Sequence, residues 1–166
     1  MREIDVRDLL EHPGSSRTVR VDEMVPGLHT ELAEVPGDAR LAGELTLESI
    51  VEGIYVTGSV AGRMSVRCAR CLSELEQDFD VEVHELYARE PGPDDDYGLG
   101  EDLTLDPEPM VRDAVMLSMP FSPLCRPDCL GLCERCGGNR NLGECTCTDP
   151  VDPRWSALER FTEVEQ

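Results

Sequence analysis

Aromatic residues are scarce in this sequence, at 4% of the chain. An interior built on large rings is thereby excluded, and a core has to come from leucine, valine, methionine and alanine. Lysine is missing altogether: all 15 basic residues are arginines, which codon usage in a GC-rich genome explains without appeal to function. Basic charge is itself in short supply, since 35 carboxylates bring the formal net charge to -20. Binding to DNA or RNA over the whole surface is excluded, because it depends on lysine and arginine neutralising phosphates. An RNA contact needs a local basic patch or a basic protein partner instead. No run approaches the roughly 18–20 apolar residues that span a bilayer, so no membrane partner is expected. The segment Met1–Asp8 carries acids and no apolar stretch, unlike a secretory signal. The expected compartment is the cytoplasm, where thiols stay reduced. Histidine is sparse too. His12, His29 and His84 are scattered, and no Ser/His/Asp or paired-carboxylate set stands out, so no catalytic activity is expected.

Cysteine is what the chain does have. Six of the eight fall between Cys125 and Cys147, and the other two are Cys68 and Cys71. They pair as Cys68-x2-Cys71, Cys125-x3-Cys129, Cys133-x2-Cys136 and Cys145-x-Cys147. In a reducing compartment such pairs point to metal rather than disulfides. C-x2-C turns let two thiolates converge on one tetrahedral ion at about 2.3 Å. Structural zinc takes four closed ligands, so eight thiols suggest two ions. One partition joins Cys68 and Cys71 to Cys125 and Cys129, and leaves Cys133, Cys136, Cys145 and Cys147 as a local ribbon around Gly137, Gly138 and Gly143. The rival places Cys125, Cys129, Cys133 and Cys136 on one ion. A thiol redox pair or metal-responsive switch is a further alternative for Cys68 and Cys71. A thioredoxin-type pair belongs at a helix N-terminus, however, and this one lies between two strands.

The fold class expected is α+β: an antiparallel β-meander packed with one or two short helices, plus a cysteine-rich zinc-binding C-terminal segment. Arg17–Val21 alternates as a strand. Leu45 and Leu47, then Ile54, Val56 and Val60, then Met64, Val66 and Cys68, then Phe79, Val81, Val83 and Tyr87 repeat with period two. Ala61-Gly62 reads as a tight turn, and Cys68–Cys71 as a hairpin tip. Asp106 is expected to cap a helix with Pro107 at its first position, burying Met110, Val111, Ala114, Val115 and Leu117. A second such start, Asp152-Pro153, precedes a stripe of Trp155, Leu158 and Phe161. The organisation is thus a β-rich body over 1–89, an acidic mobile loop over 90–106, and a helix with a zinc-binding tail over 107–166, packed as one domain. The acidic loop reads as a solvated linker or as a mimic of a phosphate backbone.

Three stretches carry a resemblance. They are Val66-Arg67-Cys68-Ala69-Arg70-Cys71-Leu72, then Leu117-Ser118-Met119-Pro120 with Pro123-Leu124-Cys125, then Cys129 to Asn139 with Asp152-Pro153-Arg154-Trp155 downstream. In order and spacing they resemble the YceD family of large ribosomal RNA subunit accumulation proteins, from about residue 40 to 160. The resemblance implies a non-catalytic ribosome-biogenesis factor needed for accumulation of large-subunit (23S) ribosomal RNA. Its expected partners are an RNA precursor, a basic ribosomal protein, or both. Arg63, Arg67, Arg70, Arg126 and Arg135 lie near the cysteines, as do Arg140 and Arg154. They make either an RNA-facing patch or a neutralising set for thiolates and nearby acids.

Overall fold

Period-two patterning does build a sheet. In the computed structural model, which describes residues 1–93, 95–147 and 154, the chain runs through β1 (Ile4–Asp5), α1 (Arg7–Leu10), β2 (Ser16–Glu23), β3 (Ala33–Glu34) and β4 (Leu41–Ser49). It continues through β5 (Gly53–Arg67), β6 (Glu74–Ala88), β7 (Tyr97–Gly98), β8 (Thr104–Leu105) and α2 (Glu108–Ser118), and later makes a short 3-10 turn at Arg140–Leu142. The main sheet has the order β2-β4-β5-β6-β7, with β3 paired to the far end of β5. Neighbours are antiparallel except β7, which joins β6 in parallel. This is the expected α+β meander.

One face of the sheet is dry. Leu45 and Leu47 of β4, Ile54, Val56 and Val60 of β5, and Val83 and Tyr87 of β6 are all buried there. Each contributes roughly 1.5–3 kcal/mol by leaving water. Met110, Val111 and Val115 of α2 belong to the same core. Tyr87 is the single fully buried aromatic of the described residues, and its hydroxyl donates to the Asp106 carbonyl at 2.8 Å. Asp106 Oδ1 accepts the Glu108 N–H at 3.0 Å, while Pro107 itself occupies the capping position, one residue later than expected.

Two expectations need correction. Ala61-Gly62 is not a turn, because β5 runs unbroken from Gly53 to Arg67. The last paired residue of β4 along β5 is Ala42, opposite Ala61, and Gly62 serves close approach: a Cβ there would lie 2.8 Å from both Leu41 and Phe79. Leu117 faces solvent at 80% exposure instead of joining the α2 core. The acidic stretch 90–106 includes the two-residue strands β7 and β8. Tyr97 stacks on Tyr87 with centroids 5.3 Å apart, and Thr104–Leu105 pairs with Ile4–Asp5. Ring stacking and backbone pairing hold this segment despite its charge. The expected start at Asp152-Pro153 and the Trp155, Leu158 and Phe161 stripe lie outside the described residues. Among the described residues no helix is long and apolar enough to cross a membrane.

Candidate metal centre

The paired strands β5 and β6 extend 15 residues each, well past the end of β4, and project the turn Cys68–Ser73 at their tip. Cys68 accepts the Leu72 N–H at 2.9 Å through its carbonyl and donates its own N–H to Ser73 at 3.0 Å, which closes the knuckle. The segment following α2 then returns to this tip. Ala69 N–H donates to the Pro123 carbonyl at 2.8 Å, and Leu132 N–H to the Arg70 carbonyl at 3.0 Å. Four thiols from two distant stretches therefore meet.

Cys68, Cys71, Cys125 and Cys129 form one group, and Cys133, Cys136, Cys145 and Cys147 a second. In each, the sulfurs all lie within 4.8 Å of one another. The groups follow the first of the two partitions considered above. None of the eight cysteines is disulfide-bonded. In the first cluster Cys68 and Cys129 sulfurs are 3.8 Å apart, and those of Cys71 and Cys125 3.6 Å. A tetrahedron of sulfurs about 2.3 Å from a central ion has edges of about 3.8 Å. Four soft donors at that spacing fit a thiophilic divalent ion such as zinc.

Burial separates the two clusters. Cys68, Cys71 and Cys129 are buried, at 0%, 7% and 2% exposure. The second cluster is a surface ribbon in which Cys136 and Cys147 are exposed. It is folded by Cys133 N–H to Gly138 carbonyl and Gly137 N–H to Cys133 carbonyl bonds of 2.9 and 2.8 Å. Gly137 and Gly143 sit at φ of 72° and 69°, a conformation that suits glycine.

Electrostatics also distinguish the thiols. Burial opposes ionisation of Cys68, yet backbone N–H groups of Cys125, Cys71 and Arg70 outweigh it and bring that thiol down to about 6. The Ser73 hydroxyl, 3.0 Å from the Cys71 sulfur, lowers Cys71 as well. Cys125 is pushed up to about 12 by burial and by the sulfurs of Cys129, Cys71 and Cys68. In the ribbon, N–H groups of Cys136 and Arg135 draw Cys133 down to about 6. The Cys136 and Cys145 sulfurs push Cys147 up to about 12. Neighbouring thiolates oppose one another's ionisation, and a shared divalent cation reverses that opposition.

Two supporting side chains escaped the sequence reading. Ser73 is one. Asn141 is the other: its Nδ2 donates to the Cys129 sulfur at 3.3 Å, and its Oδ1 accepts the Leu130 N–H at 2.9 Å. It belongs to the ribbon yet orients a ligand of the buried cluster. Partners of this kind are typically worth 10–100-fold in metal affinity. Asn141→Ala protein should therefore surrender its first metal ion to a competing chelator at about tenfold lower chelator concentration, with the sheet intact by circular dichroism. An unaltered competition curve would show that Asn141 does not support the site.

The arginines named for RNA contact all have intramolecular partners. Arg63 lies 3.0 Å from Asp78 and 3.4 Å from Glu76, and Arg67 3.8 Å from Glu74. Arg70 Nη1 donates to the Cys129 carbonyl at 2.9 Å. Arg126 lies 3.4 Å from Asp128 and donates to Asn141 Oδ1 at 2.7 Å. Arg135, Arg140 and Arg154 are engaged too. His12, His29 and His84 belong to neither cluster.

The family model described as "Large ribosomal RNA subunit accumulation protein YceD" matches residues 56–162. Uncharacterized protein Rv2926c of Mycobacterium tuberculosis (strain ATCC 25618 / H37Rv) is 36% identical over 169 residues, covering 93% of this chain and 78% of the relative. Uncharacterized protein ML1660 of Mycobacterium leprae is 31% identical, covering 93% and 74%. Uncharacterized protein YlbN of Bacillus subtilis is 25% identical, covering 89% and 87%. No solved structure matches.

Proposed function

The chain belongs to the YceD family of large ribosomal RNA subunit accumulation proteins, and from that membership we propose that it is a non-catalytic ribosome-biogenesis factor sustaining accumulation of 23S ribosomal RNA. It acts in the cytoplasm, where thiols stay reduced, by holding pre-ribosomal RNA, a basic ribosomal protein, or both. DNA and membranes are not among its partners. Its two four-cysteine clusters carry structural zinc.

The observation that carries this reading is the closed all-sulfur donor set in a chain that the family model matches over residues 56–162. A catalytic zinc site keeps one position for water, and four converging thiolates leave none. A cleft of about 620 Å³ lined by residues including Ile4, Asp5, Arg17, Val19, Val21 and Pro107 contains none of the cysteines. The metals therefore act by fixing shape.

Depletion of the protein should lower the ratio of 23S to 16S ribosomal RNA, and the wild-type chain should restore it. A chain carrying Cys68→Ser should not. An unchanged ratio on depletion would end the assignment. Full restoration by the Cys68→Ser chain would remove the first metal ion from the mechanism.

A further inference from the structure

The first cysteine cluster gathers more than sulfur. Three of its four cysteines have an exposed leucine as immediate chain neighbour: Leu72 after Cys71, Leu124 before Cys125 and Leu130 after Cys129. These leucines are 54%, 38% and 62% exposed. The sulfurs beside them converge within 4.8 Å, so the same convergence places the chain positions of leucines more than 50 residues apart in sequence around one cluster. Phe121 at 92% and Leu142 at 71% exposure lie on the same returning segment. The Leu142 turn is tied to Leu130 through Asn141. Of eight exposed large apolar residues among those described, five thus belong to the knuckle or to residues 120–147. Concentrated apolar exposure of this kind marks a surface made to be covered.

Charge selects what covers it. Residues 67–74 and 120–147 carry five arginines against four carboxylates, and the remainder of the chain carries ten against thirty-one. In its balance of arginines and carboxylates the cysteine end is thus far less acidic than the body, and each four-thiolate metal group adds two negative charges, so nothing here favours phosphate and the whole molecule attracts cations. RNA finds little here. Apart from Phe121 the exposed apolar side chains here are aliphatic and offer bases no ring to stack on. Arg67, Arg70 and Arg126 are already bonded to Glu74, the Cys129 carbonyl and Asn141. A basic protein with an apolar patch fits both features: leucines supply the dry contact, and the acidic body supplies attraction and orientation.

We propose that the leucines gathered by the first cysteine cluster, Leu72, Leu124 and Leu130, are the docking surface for a basic ribosomal protein, and that the metal clip's task is to assemble this surface. The inference rests on the biogenesis reading above and names its partner class and contact. It also assigns the RNA effect to the protein that is carried rather than to direct RNA binding.

The test uses the full-length, metal-loaded chain, immobilised. One probe is the protein fraction stripped from purified large ribosomal subunits by high salt and treated with nuclease. The other is protein-free large-subunit RNA. The comparison variant is Leu72→Asn/Leu130→Asn, with asparagine chosen because Leu72 has a φ of 59°, a conformation asparagine tolerates. Leu130→Asn alone replaces it if the double variant loses metal. Wild type should retain one or a few basic proteins, less at raised ionic strength. The leucine variant should retain at least tenfold less, with unchanged metal content and melting temperature. Equal retention by the variant, retention of RNA in place of protein, or retention of neither would overturn the proposal. In depleted cells the variant should fail to restore the 23S ratio. Restoration by the variant would refute the docking surface and leave the biogenesis role standing, whereas a ratio insensitive to depletion would refute that role itself.

Discussion

Cys129→Ser protein should bind one metal ion fewer than wild type and unfold about 10–15 °C lower, whereas Cys136→Ser should also lose one ion yet unfold within about 2 °C of wild type. The difference lies in what each clip joins. Cys68 and Cys129 are 61 residues apart, and Cys71 and Cys125 are 54 apart. Closing a loop of that size with a covalent link restrains the unfolded chain by roughly 4 kcal/mol, and a four-coordinate metal clip acts in the same sense. At roughly 2–4 °C per kcal/mol for a chain of this length, the shift falls in the stated range. Loss of the first clip also exposes Cys68 and Cys71, buried where the hairpin tip meets the segment following α2. Whereas Cys68, Cys71 and Cys129 form a small buried core of their own, the second cluster spans only Cys133 to Cys147 and is partly exposed. Its loss should unravel one ribbon. Metal counting by mass spectrometry of the native protein, together with thermal melts, separates the two variants. Equal melting shifts would show that the two clips carry similar weight and would refute the division into a structural clasp and a surface ribbon.

Much of this was legible in the sequence, for reasons specific to each element. Alternation from Leu45 to Tyr87 gives a half-buried antiparallel sheet because side chains on a strand switch faces at every residue. The cysteine pairs announce convergence because close spacing is what one tetrahedral ion demands. Features set by contacts distant along the chain were hidden. A glycine within an alternating run looks like a turn, and nothing local reveals that Gly62 is crowded by Leu41 and Phe79. Pairing of Thr104–Leu105 with Ile4–Asp5 involves two residues on each side, too few to leave a period, within a stretch whose acids and prolines read as loop. The arginines near the cysteines looked like a patch because their partners are fixed by register. Arg63 faces Asp78 and Arg67 faces Glu74 only once β5 and β6 are aligned. Asn141 gave no signal beyond its neighbourhood, since its role depends on the ribbon folding back onto Cys129.

Gly58→Ala should be among the most damaging single substitutions in the sheet, costing roughly 4 kcal/mol or more and removing the first metal ion from a distance. Gly58 stands opposite Leu45 on β4 with φ of 154°. A Cβ built there would lie 2.1 Å from the Glu44 carbonyl oxygen and 3.0 Å from the Leu45 Cα. Both obstacles are backbone, so no rotamer change relieves them, and β4 must retreat from β5. That retreat breaks ladder hydrogen bonds at about 1 kcal/mol each and pulls Leu45 and Leu47 from the core at roughly 1.5–3 kcal/mol each. Ten residues separate Gly58 from Cys68, about 33 Å along an extended strand, so no direct contact links them. The connection is mechanical. Cys68 and Cys71 are presented to Cys125 and Cys129 only while β5 and β6 are held against the rest of the sheet. Gly58→Ala protein should accordingly show a broad, low melting transition and a metal content of one. The ion it keeps is the one held by Cys133, Cys136, Cys145 and Cys147, whose four sulfurs come from a single short stretch. Gly14→Ala is the control. Its φ of 86° makes alanine unfavourable, but nothing lies within 4 Å of the added carbon, so it should cost about 1 kcal/mol and leave both ions in place. A Gly58→Ala chain that melted like wild type and kept both ions would mean that β4 and β5 are not packed as closely as this register requires.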